Sequence, residues 1–383
     1  MKKTYLLTPG PTQVPENVLA LAAKPILHHR TPQFMTLMED VKQGLKYLFQ
    51  TQQEVLVLAS SGTGAMDAAV TNLFCKGDKV VTINGGKFGE RWTKIAKAYG
   101  LSPIEIKLET GQAVTVSQVE QALKQNPETK GVLFQASETS TGVRMPTKEI
   151  CALVREKKGC ISIVDGITAV GVFDVPMDAW GIDVLITGSQ KALMLPPGLA
   201  CLALSAKAWE FTESCNISHF YFDLKKEKKS LEKGQTSWTP AVGLLVGLQE
   251  TLKMIKEEGL ANVFKRHELL ATATRNAVKA LGLEMLAKDS PTNAVTAVKI
   301  PPEIKDGKAL PKTMRDKYGV TIAGGQDELE GKIFRLTHVG YVDKFDIVIG
   351  VSALELTLQG LGYNKFSFGT GTGAVLETFS KSS

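Results

Sequence analysis

The sequence lacks any apolar run near the roughly 18 residues that span a bilayer, so no membrane-crossing helix is expected. Its opening, Met1-Lys2-Lys3-Thr4-Tyr5-Leu6-Leu7, puts only two apolar residues after Tyr5 before Pro9-Gly10-Pro11, too few for the core of a signal peptide. Cysteine is sparse. The five, at 75, 151, 160, 201 and 215, are odd in number, show no Cys-x-x-Cys spacing, and two lie inside apolar runs. That argues against a disulfide framework and predicts reduced, mostly buried thiols in a reducing compartment, the cytoplasm. Histidine is sparse as well: His28-His29 has no further histidine or carboxylate at metal-binding spacing, so no metal site is expected. No charge of one sign dominates. The 45 basic and 39 acidic residues leave +6, a mild excess that suits small anionic ligands better than nucleic acid. The one charge run, Lys225-Lys226-Glu227-Lys228-Lys229, reads as a solvated loop or helix face.

What is present is an ordinary globular composition, 43% hydrophobic and 22% charged, which excludes disordered, collagenous and coiled-coil chains. A chain of 383 residues can bury a full core, in two or three domains. No repeat at solenoid periods is found. Short β-branched runs at 54–59, 79–83, 131–134, 161–164, 183–187 and 199–204 read as strands. Helical patterns at 65–74, 89–99 and 147–158 lie between them. Near-continuous apolar strands alternating with helices predict a mostly parallel sheet covered on both faces. Right-handed crossovers would then gather the strand C-termini along one edge, where ligands bind. After Pro240 the rhythm changes to long helical patterns at 241–258 and 261–281. Strand-like pieces at 294–300 and 333–336 and helix-like pieces at 307–318 and 344–361 then follow, as in a smaller α+β domain. Gly369-Thr370-Gly371-Thr372-Gly373 reads as a flexible segment of the tail.

Three features fall at strand ends. Ser60-Ser61-Gly62-Thr63-Gly64 joins a strand to a helix; small residues let backbone N–H groups approach an anion at the helix N-terminus, or simply make a tight turn. It is neither a Walker loop nor a full dinucleotide fingerprint. Asp165 ends the run Ile161 to Val164; a carboxylate there needs a partner, either a local cap or a cationic ligand atom. Lys191, in Thr187-Gly188-Ser189-Gln190-Lys191-Ala192-Leu193, arrives one crossover later among uncharged neighbours, where most lysines would be surface charges. A phosphate cradle, a carboxylate and a lysine together match the needs of pyridoxal 5′-phosphate: donors for its phosphate, an anion for its ring nitrogen, an amine for its aldehyde.

These blocks resemble the class V, fold type I aminotransferases, and most closely their alanine/serine–glyoxylate group. Leu7-Thr8-Pro9-Gly10-Pro11-Thr12, His29-Arg30-Thr31-Pro32-Gln33-Phe34, the loop at 61–64, Glu138-Thr139-Ser140-Thr141-Gly142, Val164-Asp165-Gly166 and Gly188-Ser189-Gln190-Lys191 with Pro196-Pro197-Gly198 carry the resemblance over nearly the whole chain. It implies an α/β large domain at 1–255 with a mostly parallel, seven-stranded type of sheet, and a small α+β domain at 256–383. It implies that Lys191 carries the cofactor and moves the substrate's α-proton, and that Asp165 pairs with the ring nitrogen. Thr63, Gly64 and Gln190 would hold the phosphate, Thr139 would lie near the ring hydroxyl, and Phe88 would stack on the ring where many relatives have Trp. Thr239 would reach the phosphate of a neighbouring subunit, so the resemblance implies a homodimer with shared sites. Arg335 would clamp the substrate α-carboxylate with its fork. Ala65 stands where close relatives often have His, and Thr236 where some have Tyr.

The implied activity is transfer of an amino group from serine or alanine to a small 2-oxo acid such as glyoxylate or pyruvate. The alternatives are another donor (aspartate, phosphoserine, ureidoglycine), a cysteine desulfurase, which the lack of any cysteine after Cys215 disfavours, and a non-catalytic module. The Lys191 amine is expected to lose its proton more easily than a free lysine. His338 reads as an ordinary loop histidine or one lying behind the site.

Overall fold

The computed structural model describes residues 3–382; Met1 and Lys2, where the opening segment starts, lie outside the described residues. Seven strands form the central sheet: β1 (Val55–Ala59), β2 (Lys79–Asn84), β3 (Ser102–Lys107), β4 (Gly131–Gln135), β5 (Ile161–Asp165), β6 (Val184–Gly188) and β7 (Leu199–Leu204). Their order is β1-β7-β6-β5-β4-β2-β3. Every residue of β4 to β7 is buried, as expected of strands covered on both faces. All pairings are parallel except those of β7, which runs antiparallel to both β1 and β6. The expectation that every strand ends at one edge therefore fails for β7. Residues 189–198 hold no helix that could carry the chain back across the sheet, so the connection can only reverse it. The edge strand β3 escapes the apolar-run reading because its residues alternate between exposed and half-buried.

Helix α1 (Pro32–Phe49) opens with Thr31 accepting the Phe34 N–H and with Pro32 in the first helical position. Phe34, Leu37, Met38, Val41, Leu45 and Leu48 repeat at three- and four-residue spacing and bury one face. Each such side chain contributes about 1.5–3 kcal/mol on burial. Helices α2 (Gly62–Leu73) and α3 (Lys87–Ala98) follow β1 and β2. The long helices α4 (Val242–Glu258) and α5 (Leu260–Ala280) lead to a three-stranded antiparallel sheet of β8 (Val295–Lys299), β9 (Ala323–Gly324) and β10 (Ile333–Thr337), with β10 in the middle. Tyr5–Leu6 pairs in parallel with Val320–Thr321, which draws Leu7 into the apolar cluster of this C-terminal part.

The glycine-rich tail is not a flexible segment. Helix α7 (Thr370–Ser380) runs there against α5 and α6 (Lys344–Gly360). The reason lies in Glu355 of α6, whose carboxylate accepts the N–H groups of Gly369, Gly371 and Thr372 at 2.6, 2.6 and 2.8 Å and so caps the helix. A Cβ on Gly371 would come within 3.0 Å of Glu355 Oε1, so the glycine permits the close approach.

The charge run lies in the helix Leu224–Leu231. All five cysteines are free thiols, and burial pushes Cys151, Cys160 and Cys201 up to about 12. Among the described residues no helix is long and apolar enough to cross a membrane.

Candidate active site

Three parallel strands bring the candidate residues together. β1 runs through Ser60 and Ser61 into α2, β5 ends on Asp165, and β6 leads directly into Ser189, Gln190 and Lys191. Thr63, Phe88, Thr139, Asp165, Gln190 and Lys191 all line one cavity of about 450 Å³.

The sequence places the start of α2 at Ala65; it starts at Gly62. Thr63 and Gly64 thus belong to the first helical turn, where N–H groups lack the carbonyl four residues back; that of Gly64 donates instead to Ser61 O at 2.9 Å. Ser61 occupies the N-cap without a side-chain hydrogen bond to the helix. The glycines keep this turn close-packed: a Cβ on Gly62 would lie 2.2 Å from Ile167 Cδ1 and one on Gly64 1.8 Å from Ser60 Oγ, so either would push a neighbouring side chain aside. Ala65, in place of a larger polar residue, is wholly buried.

Lys191 sits on a tightly braced loop. Ser189 Oγ donates to Pro196 O at 2.8 Å and accepts from Leu199 N at 3.1 Å. Met194, at φ 54°, holds a left-handed turn that few side chains adopt without cost. The N-terminal segment crosses over the loop: Thr12 Oγ1 donates to Lys191 O at 3.1 Å, and Lys191 Nζ donates to Pro9 O at 2.6 Å. A Cβ on Gly10 would fall 2.0 Å from Nζ, so the passage beside the amine tolerates only glycine. Lys191 is 8% exposed. Burial, with the nearby charges of Arg335 and Arg91, lowers its pKa to about 8 against the opposing pull of Asp165. Asp165 is 5% exposed, and burial raises its pKa to about 6. Oδ1 accepts the Ile167 N–H at 2.9 Å, and among the described residues no hydrogen bond reaches Oδ2.

Phe88 is the second residue of α3. The wholly buried Glu138 seats that turn, accepting the N–H groups of Phe88 and Gly89 at 3.2 and 2.9 Å and that of Ser140 at 3.1 Å. Burial raises its pKa. Sequence reading gave Glu138 no role, although a carboxylate in an uncharged block just before Thr139 is itself a signal. Arg335, in the middle of β10, is 5% exposed and does not itself line the cavity; it meets the wall through Thr139. Nη1 donates to Thr139 O at 3.0 Å and Nε to Gly324 O at 2.9 Å, so part of its five-donor fork remains uncommitted. Burial lowers its pKa to about 10, still cationic at neutral pH.

Thr239 is not brought to this cavity. With Thr236 and Trp238 it lines a separate one against Ala59 and Leu199. His338 lies one residue beyond β10, hydrogen-bonded to Thr296 and Asn293 O at 3.2 Å, and burial lowers its pKa to about 3. It ties the small sheet together. Arg91, also on the cavity wall, is not among the residues the sequence singles out. Its signal was the three-residue spacing from Phe88, which puts both on one helix face.

The wall fits pyridoxal 5′-phosphate. Among the described residues Asp165 has a carboxylate oxygen to spare, and Lys191 is a buried amine held by one carbonyl; the buried Gln190 Oε1 also lacks a partner, but as an acceptor it serves a donor and not a phosphate oxygen, so only the Gln190 amide group can face the phosphate. The first turn of α2, Thr63 and Arg91 supply anion donors on the same wall.

The family model of class-V aminotransferases matches residues 4–333. A soluble hydrogenase 42 kDa subunit of Anabaena cylindrica is 42% identical over 381 residues, spanning 99% of each chain. A serine–glyoxylate aminotransferase of Hyphomicrobium methylovorum is 36% identical over 388 residues, spanning 98% of this chain and 95% of that one. The crystal structure of a ureidoglycine–glyoxylate aminotransferase from Bacillus subtilis superposes with a TM-score of 0.94 over 99% of both chains, at 28% identity. The chain belongs to the class-V aminotransferase family.

Proposed function

We propose that this chain is a pyridoxal 5′-phosphate-dependent transaminase. It would move the amino group of serine or alanine to a small 2-oxo acid such as glyoxylate or pyruvate. The observation that carries the reading is the convergence of Lys191, Asp165, Thr63 and Gln190 on one cavity, with the buried amine poised near pH 8. When bound, the cofactor supplies an aldehyde that accepts the amino group and a ring that accepts the electron pair released at Cα. Lys191 Nζ takes the proton from Cα and returns it; a base with a pKa near the working pH does this best. Asp165 holds the protonated ring nitrogen, Phe88 covers the ring, and Thr63, Gly64 and Gln190 hold the phosphate. Thr139 closes the wall beside the ring hydroxyl.

Arg335 clamps the α-carboxylate. Arg335→Lys keeps the charge and loses the fork. The KM for both amino and oxo acids is expected to rise about ten- to a hundredfold, with kcat and cofactor affinity changed far less. Steady-state kinetics with both substrates checks it; an unchanged KM assigns the carboxylate to another residue.

We propose with this a cytoplasmic homodimer with shared sites. The placement of Thr239 and Thr236 outside the Lys191 cavity of their own chain supports this, since residues that serve a second copy must lie away from the first site. A division into a cofactor-binding part, 1–255, and a smaller part, 256–383, is supported by the two apolar clusters built mainly from residues 270–379, although Leu260, Val263, Ala287, Ala294 and Val339 join the large cluster and Leu7 joins a small one.

A second reading, a non-catalytic subunit of a larger assembly, is favoured by the name of the Anabaena relative. Visible absorbance separates the two. With the cofactor added, the purified chain is expected to show a band beyond its protein absorption. L-serine should shift that band to shorter wavelength, and glyoxylate should restore it. A band that answers aspartate or another amino acid replaces the donor; no band after reconstitution supports the assembly reading.

A further inference from the structure

We infer that Arg91 is the charged member of the anion end of this cavity: it fixes the Thr63 hydroxyl as a donor and adds its own positive charge beside the N-terminus of α2, so that the two together take the cofactor's phosphate. The inference rests on the cofactor reading above.

Arg91 follows Phe88 by three residues on α3, which sets both on the cavity wall, with the guanidinium carbon 5.0 Å from the centre of the Phe88 ring. Its Nη1 donates to Thr63 Oγ1 at 2.9 Å. A hydroxyl has one proton and two lone pairs. With one lone pair committed to Arg91, the Thr63 proton is left to donate, and an anion at the first turn of α2 is the acceptor it can serve.

Charge makes the same assignment. A phosphate monoester carries about −1.5 to −2 at neutral pH, whereas a helix N-terminus offers only about +0.5. Among the described residues the cationic side chains on this wall are Lys191 and Arg91. Lys191 is committed to the aldehyde, so Arg91 is the cation left for the phosphate. It is also unneutralised: Lys87 and Lys94 on the same helix both pair with Glu90, but among the described residues no carboxylate lies within ion-pair distance of Arg91. The Arg91 charge opposes the burial-driven rise at Asp165 and adds to the lowering at Lys191, as a charge beside the cavity would. An unpaired guanidinium hydrogen-bonded to the first turn of a helix is the donor set that planar, bidentate recognition of a phosphate uses.

The test compares two ligands on the cofactor-free full-length protein. Pyridoxal 5′-phosphate and pyridoxal share the ring and the aldehyde, and only the first has the phosphate. Equilibrium dialysis gives Kd for each with the wild type, Arg91→Gln and Arg91→Lys. Arg91→Gln is expected to weaken pyridoxal 5′-phosphate about 10- to 100-fold and pyridoxal less than about twofold. Arg91→Lys should recover part of the loss, as a point charge without the fork. Equal affinities in wild type and Arg91→Gln overturn the inference and leave the cofactor reading intact. So does a loss shared equally by both ligands, the mark of a merely structural arginine. A rise in substrate KM with no change in pyridoxal 5′-phosphate binding reassigns Arg91 to a substrate carboxylate. If Arg91→Gln does not fold, Arg91→Lys carries the test, with the phosphate-selective loss smaller but still required. A wild-type chain that binds neither ligand overturns the cofactor reading and this inference with it.

Discussion

Replacing Lys191 by alanine is expected to lower transaminase turnover by about a thousandfold or more. The side chain stands at the end of β6 on a loop braced by Ser189 and Thr12, so its position is imposed by the scaffold rather than by a ligand. Among the described residues no other primary amine lines the cavity, and the remaining groups there cannot both attack an aldehyde and carry a proton to and from Cα. Only the unprotonated amine is a nucleophile. With a pKa of about 8, the wild-type apoprotein should take up the cofactor faster as pH rises through 8. The rate should fall about tenfold per pH unit below 7 and level off above 9. Stopped-flow absorbance after mixing with cofactor checks the profile, and steady-state assays check the variant. Turnover of Lys191→Ala equal to wild type would remove the residue from the chemistry altogether.

Lys191 and Asp165 were readable because an isolated charge at the end of an apolar strand has few innocuous explanations. Periodicity then located the strands themselves, and the parallel crossovers assembled them at one edge. Arg91 offered no such contrast. It sits in an amphipathic helix beside Lys87, Glu90 and Lys94, where a charge is the default expectation, and its use becomes visible only when Thr63 of another helix is placed 2.9 Å away. The two misreadings have a common root in long-range contacts. Gly369 to Gly373 has poor intrinsic helix propensity, and a carboxylate from α6 overrides it. The reversal of β7 follows from a connection with no helix in it, while its apolar composition is the same as that of its parallel neighbours. The amphipathic helix Val116–Gln125 lies outside the sequence-based expectations, although its capping box, Thr115 with Gln118, is a local signal.

Asp165→Asn is expected to separate activity from stability in opposite directions. Turnover should fall about 10²- to 10³-fold, the usual cost of removing a preorganised charge from a reacting centre, because the amide cannot balance a positive ring nitrogen. The cofactor-free protein, however, should become more stable at pH 7. The folded-state pKa of Asp165, about 6, lies above the ordinary 3.8, and burial is the first cause. The folded chain therefore holds this proton more tightly than the unfolded one, a stabilisation present in full below pH 3.8 and lost as pH rises through 6. Above pH 6 the folded state carries a buried carboxylate at a cost of about 3 kcal/mol. Asparagine keeps an oxygen for the Ile167 N–H and removes the charge, but its NH₂ group needs partners, which returns about 1–3 kcal/mol. The net expectation is a gain of about 1 kcal/mol at pH 7 and none near pH 4, where the wild-type carboxyl is largely protonated in the folded chain. Thermal melts of both cofactor-free proteins from pH 4 to pH 8 test this directly. A wild type more stable than the variant at pH 7 would mean that Asp165 has a cationic partner within the protein, and its role as the anion for the ring nitrogen would then fail.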